Sequence, residues 1–190
     1  PCGVRSIGSS RCATAKGGVK SDVRGTTAAE YYPLKVGNSW TYKVNFLGEE
    51  RTDSVVIEKE AEGFFVDSHG TRTTIDAYGV RDDKRYLLRE PVESGTTWTN
   101  VVSVETAEHY KITSAGAACT VPAGDFKDCV IVESRVRAKA GTLINELTFA
   151  RGVGLVRVDV VLEANGKRVP QTRLELSAWQ LAAAAPAPTK

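Results

Sequence analysis

The residues of this chain that could do chemistry are few, and their spacing decides what they could do. Asp125 and Asp128 lie close together in TVPAGDFKDC, residues 120–129. Two neighbouring carboxylates can divide general acid and base work when their surroundings set their pKa values apart. No histidine lies near them in sequence, and Pro122 and Gly124 form a reversal recipe, a fixed φ followed by a permissive backbone position. Turn chemistry therefore accounts for both aspartates. Asp125 is expected to bond the turn backbone, and Phe126 to land on the apolar face as the chain re-enters a sheet.

The two histidines, His69 and His109, stand alone beside expected reversals and make a poor zinc site. No G-x-S-x-G elbow is present to raise a serine toward either of them. RGVGLV (151–156) is glycine-rich but lacks the Lys-Ser/Thr of a phosphate-binding loop and leads into a strand. Gly152 and Gly154 read instead as a bend or bulge where a strand begins. No catalytic residue, metal site or cofactor is expected, and the protein is expected not to be an enzyme.

Four cysteines, Cys2, Cys12, Cys119 and Cys129, fall into two pairs whose members are 10 residues apart. Neither pair has the C-x-x-C spacing of a zinc knuckle or a thioredoxin-like redox motif. Local disulfides Cys2–Cys12 and Cys119–Cys129 suit an oxidising compartment, and free thiols suit a reducing one. Four cysteines allow three connectivities, so the sequence leaves the pairing open.

Charge excludes more than it assigns. With 25 basic and 23 acidic residues the formal net charge is +2, too small to favour nucleic acid or an anionic membrane as the main partner. RDDKRYLLRE (81–90) is the densest charged stretch, and its mixed signs favour a solvated hairpin or polar rim over a phosphate-binding patch. Hydrophobic residues make up 42% of the 190, enough for one domain with its own core. No apolar run approaches the roughly 18 residues of a membrane-spanning helix. The chain opens PCGVRSIGSSRC, without the apolar core of a signal peptide, and contains no methionine. Pro1 is expected to be a cut end rather than a translation start.

The elements that must position these residues are strands. In SWTYKVNFL (39–47), Trp40, Tyr42, Val44 and Phe46 share one face, and Thr41, Lys43 and Asn45 the other. Gly48-Glu49 offers a reversal into RTDSVVIEKE, and Gly63 and Gly70 punctuate FFVDSH and TRTTID. Val130, Val132, Ser134, Val136 and Ala138 alternate with Ile131, Glu133, Arg135, Arg137 and Lys139 along a long strand with one dry and one wet face. Val156, Val158, Val160 and Leu162 lead into Asn165-Gly166, the strongest two-residue hairpin signal, and RLELSAW returns with Pro170 near its start. About ten or eleven strands are expected. A helical turn or two is expected in SDVRGTTAAEYY and another in SAWQLAAAA. The fold class is mainly all-β: a single curved antiparallel sheet, a half-barrel or open barrel with few short helices. Residues 1–29 read as an extended arm, 30–180 as the antiparallel domain and 181–190 as an Ala/Pro tail.

YYPLKVGNSWTYKV, TVPAGDFKDCVIVE and ARGVGLVRV together resemble a group of little-characterised bacterial envelope proteins, many of them lipoproteins. The residues carrying the likeness are Tyr32, Pro33, Leu34, Gly37, Trp40 and Tyr42; Val121, Pro122, Ala123, Gly124, Phe126 and Cys129; Gly152 and Gly154. They span roughly residues 31 to 178 in order. The resemblance implies a curved sheet similar to the half-barrels of periplasmic lipoprotein carriers and a location in the cell envelope: periplasm, anchored at the outer membrane, or cell surface. It brings no catalytic residues. Cys2 follows Pro1, where a lipobox cysteine follows Gly, Ala or Ser, and its lipidation competes with a Cys2–Cys12 disulfide.

The function expected is non-catalytic: binding or assembly through the curved sheet, with an apolar small molecule or lipid held against Trp40, Tyr42, Phe46, Phe126 and Phe149 on its concave face. The alternative is an accessory subunit docking on a larger complex, or on a second copy, through its arm or a sheet edge. No nucleic-acid partner is expected, and a membrane only through lipidation of Cys2.

Overall fold

The computed structural model describes residues 26–183. After a short 3₁₀ helix (Ala28–Tyr31) come twelve strands: β1 (Ser39–Phe46), β2 (Glu49–Ala61), β3 (Phe64–Asp67), β4 (Arg72–Asp76), β5 (Gly79–Arg81), β6 (Tyr86–Arg89), β7 (Thr97–Ser103), β8 (Thr106–Val121), β9 (Gly124–Ala138), β10 (Gly141–Ala150), β11 (Gly154–Ala164) and β12 (Lys167–Gln180). They form one antiparallel sheet in the order β6-β5-β4-β3-β2-β1-β12-β11-β10-β9-β8-β7, nearly closed into a barrel with one seam between β6 and β7.

Local pattern explains most of this. Trp40, Tyr42 and Val44 are buried on one face of β1, and Val130, Val132 and Ser134 on one face of β9. Three hairpins turn on two residues with positive φ: Leu47–Gly48 (51° and 93°), Glu62–Gly63 (54° and 75°) and Asn165–Gly166 (52° and 71°). Positive φ at both positions gives the turn whose twist matches that of paired strands. The first reversal thus falls one residue earlier than Gly48-Glu49, because Glu49 already pairs with Phe46. Among the described residues no helical turn forms in SAWQLAAAA: β12 continues to Gln180, with Trp179 and Gln180 paired to Trp40 and Ser39. Cys2 and Cys12 lie outside the described residues. Ala28, at the end of the expected arm, is fully buried.

The barrel is filled by the 3₁₀ helix and by a bent hairpin, which give it two cores. Under the seam, Ala28 and Tyr31 of the 3₁₀ helix pack with Leu88, Trp98, Ile112 and Phe149. The helix is held from below: Gly152 N–H donates to the Glu30 carbonyl at 2.7 Å, the Tyr31 hydroxyl donates to Asp128 at 2.6 Å, and Arg151 pairs with both Glu30 and Asp128. Beside it, at the same end, the β8–β9 hairpin bends over the barrel, and its Asp128 is the residue that Tyr31 and Arg151 meet. Bulges break its pairing between Ile112 and Ser114, Ala115 and Ala117, and Ala117 and Cys119. Each bulge adds local twist, which turns the hairpin away from the wall. Its tip docks on β12, where the Ala123 N–H donates to the Leu176 carbonyl at 2.9 Å and Arg157 ties the Thr120 carbonyl (2.8 Å) to Glu175 (2.7 Å). Val121 and Cys129 thereby join Trp40, Tyr42 and Leu176 in a second core.

Candidate functional site

TVPAGDFKDC therefore packs as a plug against the second core. Cys119 and Cys129 are joined by a disulfide with Cα atoms 6.1 Å apart, clamping the hairpin just below its tip. The two aspartates part company. Asp125 accepts from the Thr120 hydroxyl across the hairpin (2.6 Å) instead of from the turn backbone, while Asp128 faces Tyr31 and Arg151. Phe126 stacks edge-on against Trp179, with ring centroids 5.5 Å apart.

Between the two cores a cavity of about 260 Å³ remains, partly open to solvent. Trp40 and Tyr42 of β1, Ile57 of β2, Phe65 of β3 and Tyr32 supply its apolar wall; Asp53, Asp67 and His69 stand among its polar residues. The β1 aromatics are fixed by their polar ends. Trp40 Nε1 donates to the Val153 carbonyl at 2.7 Å and the Tyr42 hydroxyl to the Leu155 carbonyl at 2.9 Å. Gly154, between those two carbonyls, lets β11 come this close, since a Cβ there would lie 3.2 Å from Trp40 Nε1. With their donors spent on β11, both side chains offer the cavity mainly apolar surface.

Tyr32 differs. Its ring leans on Phe149 at 6.0 Å, yet its hydroxyl has no hydrogen-bond partner among the described residues. Burial, with Asp67 and Asp82 nearby, pushes this phenol up to about 12, and burial raises Tyr42 as well. Both stay neutral at physiological pH. Also lining the cavity, His69 Nε2 lies 3.3 Å from Asp53 Oδ1, and Asp67 Oδ1 accepts from the His69 and Thr71 N–H groups at 2.9 and 2.8 Å. A histidine oriented by a carboxylate is half of a nucleophilic triad. Among the described residues no serine, threonine or cysteine side chain bonds to His69; Thr99 bonds instead to His109, on β8.

Of the five aromatics expected on the concave face, Trp40 and Tyr42 line the cavity. Phe149 is fully buried behind Tyr32, Phe126 belongs to the plug, and Phe46 is 50% exposed at the far end of β1. Sequence reasoning missed Tyr32, Phe65, Asp53, Asp67 and His69. Tyr32 carried a signal in the Tyr-Tyr-Pro-Leu opening. The acidic side carried none, because Asp53 and His69 meet only through the pairing of β2 with β3. RDDKRYLLRE forms a charged β5–β6 hairpin, whose Arg85 reaches Glu108 on β8 at 2.7 Å.

No protein-family model matches the chain, and no curated protein matches it. Two crystal structures are similar in fold. One is a Bacteroides fragilis protein provisionally described as exported, with a YmcC-like fold: 12% identity, TM-score 0.42, 80% of this chain and 99% of that one covered. The other is a Parabacteroides distasonis protein provisionally described as a lipoprotein: 14% identity, TM-score 0.42, with 79% and 98% covered.

Proposed function

We propose that this protein is a non-catalytic component of the bacterial envelope that holds a small, largely apolar ligand in the cavity beside Trp40 and Tyr42. The observation that carries this reading is the cavity itself. The 3₁₀ helix and the hairpin tip pack into the barrel, yet about 260 Å³ beside Trp40 stays open, lined by four aromatic side chains, Tyr32, Trp40, Tyr42 and Phe65. Sites for drug-sized ligands run from about 300 to 1,000 Å³, so the fitting ligand is the size of one ring or a short branched chain rather than a whole lipid. The Cys119–Cys129 disulfide favours an oxidising compartment, which agrees with an envelope location. Native mass spectrometry of protein purified from envelope extracts tests the reading. A small adduct lost on Trp40→Ala supports it; an adduct-free spectrum, together with no uptake of added neohexanol, overturns it.

A docking role is favoured by a separate observation. Phe46, Leu47 and Val169 are 50%, 62% and 50% exposed, at the end of the barrel where β1, β2 and β12 turn. Grouped apolar side chains of this kind mark contact surfaces more often than scattered ones do. Sedimentation of the wild type against a Phe46→Ser/Leu47→Asn double variant tests it. A concentration-dependent complex abolished by the variant supports docking, and a monomer in both removes it.

A further inference from the structure

The cavity's polar groups narrow the ligand's chemistry, an inference that rests on the cavity being a binding site. Two carboxylates, Asp53 and Asp67, line it, and no lysine or arginine does. Asp67 spends Oδ1 on two backbone N–H groups, while its Oδ2 has no hydrogen-bond partner among the described residues. The nearby arginines of the β4–β6 region turn to other acids: Arg72 to Glu62 and Asp83, Arg81 to Asp76. The remaining wall is aromatic, and aromatic faces carry negative potential that attracts cations within about 6 Å of the ring centre.

Tyr32 lines the same cavity, and its hydroxyl has no hydrogen-bond partner among the described residues. Asp67 and Asp82 add to the burial that raises its pKa, in keeping with a negative potential here. Asp53 has His69 beside it, but no lysine or arginine pairs with Asp67; a carboxylate or phosphate head entering here would meet that bare carboxylate, whereas an alkylammonium head would meet the rings and Asp67 together.

We propose that this cavity takes a small cation, an alkylated or quaternary ammonium group, with the rings of Tyr32, Trp40, Tyr42 and Phe65 around its methyl groups and Asp67 as counter-charge. Desolvated cation–aromatic contacts of this kind favour the charged ligand by about tenfold or more over a neutral one of equal shape.

Calorimetric titration of the full chain with three probes of matched shape tests this: choline, its uncharged carbon isostere neohexanol, and the carboxylate tert-butylacetate. Choline is expected to bind about tenfold more tightly than neohexanol, and tert-butylacetate not measurably. Asp67→Asn, which keeps an oxygen for the two turn N–H groups, is expected to weaken choline but not neohexanol, leaving only the preference that the rings supply. Asp67→Ser, whose hydroxyl also accepts from the turn N–H groups, provides the same test should Asp67→Asn melt early. Equal binding of choline and neohexanol, or equal losses for both in the variants, overturns the charge assignment and leaves the apolar pocket standing. Silence from all three probes overturns the pocket, and the charge assignment with it.

Discussion

Asn100 on β7 grips the main chain of Tyr86 on β6 with both ends of its side-chain amide. Its Oδ1 accepts from the Tyr86 N–H at 3.0 Å, and its Nδ2 donates to the Tyr86 carbonyl at 3.1 Å. One side chain thus replaces a missing rung of the sheet at the barrel's seam, and Trp98 Nε1 adds a further bond to the same carbonyl at 2.9 Å. Exposed edges are templates for wrong pairing, and here two edges are turned on each other and sealed. Asn100 is only 6% exposed, so removing its amide leaves the Tyr86 N–H without its partner, while the carbonyl keeps Trp98. Asn100→Ala is expected to cost about 2–3 kcal/mol, read from urea denaturation, with amide exchange at Tyr86 speeding up more than exchange in β10. A loss below about 0.5 kcal/mol would show that the seam closes without it.

The disulfide clamps the plug. Cys119 and Cys129 close a loop with a sequence separation of 10. A loop of that size contributes roughly 2–3 kcal/mol by restricting the unfolded chain. Reduction, or Cys119→Ala/Cys129→Ala, is expected to lower stability by about that amount and to free the hairpin tip. Release would appear as faster exchange at the Ala123 N–H, which is bonded to Leu176. Unchanged exchange there would mean that the Ala123 and Arg157 contacts hold the tip unaided.

The phenols of the barrel make stability fall at alkaline pH. Burial raises Tyr32 and Tyr110 from 10.0 to about 12, with Asp67 and Asp82 adding to the first and Glu108 to the second; Tyr42 is raised too, chiefly by burial. An unfolded tyrosine ionises near 10, so above that pH the unfolded chain binds fewer protons than the folded one and gains on it. The contribution is complete below about 10 and disappears as the pH climbs toward about 12. Unfolding midpoints across this window are expected to drop more steeply in the wild type than in Tyr32→Phe. Identical slopes would mean that Tyr32 ionises in the folded protein as freely as in water.

Leu47 occupies a left-handed conformation, φ 51°, at the first position of the β1–β2 turn while 62% exposed. That conformation costs an ordinary L-residue about 1–2 kcal/mol and asparagine less. Leu47→Asn is therefore expected to raise the thermal midpoint, by about 1 kcal/mol in stability. A lower midpoint would mean that Leu47 packs in solution.

How much of this was legible depended on how far apart the partners lie. The alternation of Trp40, Tyr42 and Val44 and the Asn165-Gly166 turn are local signals, and both elements formed as read. Phe46 continues that alternation on paper but falls at the strand's end, beyond the packed core. The seam could not be read, since Asn100 resembles any polar residue of an alternating strand until β6 lies beside it. The plug was half legible: Pro122 and Gly124 announce a reversal, but the bulges that bend it inward leave no pattern of their own. The cavity draws Tyr32, Asp53, Asp67 and His69 from separate elements, so only the folded barrel assembles it.

Titration of isotope-labelled protein with neohexanol, followed by nuclear magnetic resonance, tests the central claim most directly. Saturable shifts confined to the Trp40 indole, Tyr32, Tyr42 and Phe65, and absent in Trp40→Ala, are the predicted result. Shifts spread over the exposed turn residues Phe46, Leu47 and Val169 with the cavity silent, or no shifts at all, would contradict it.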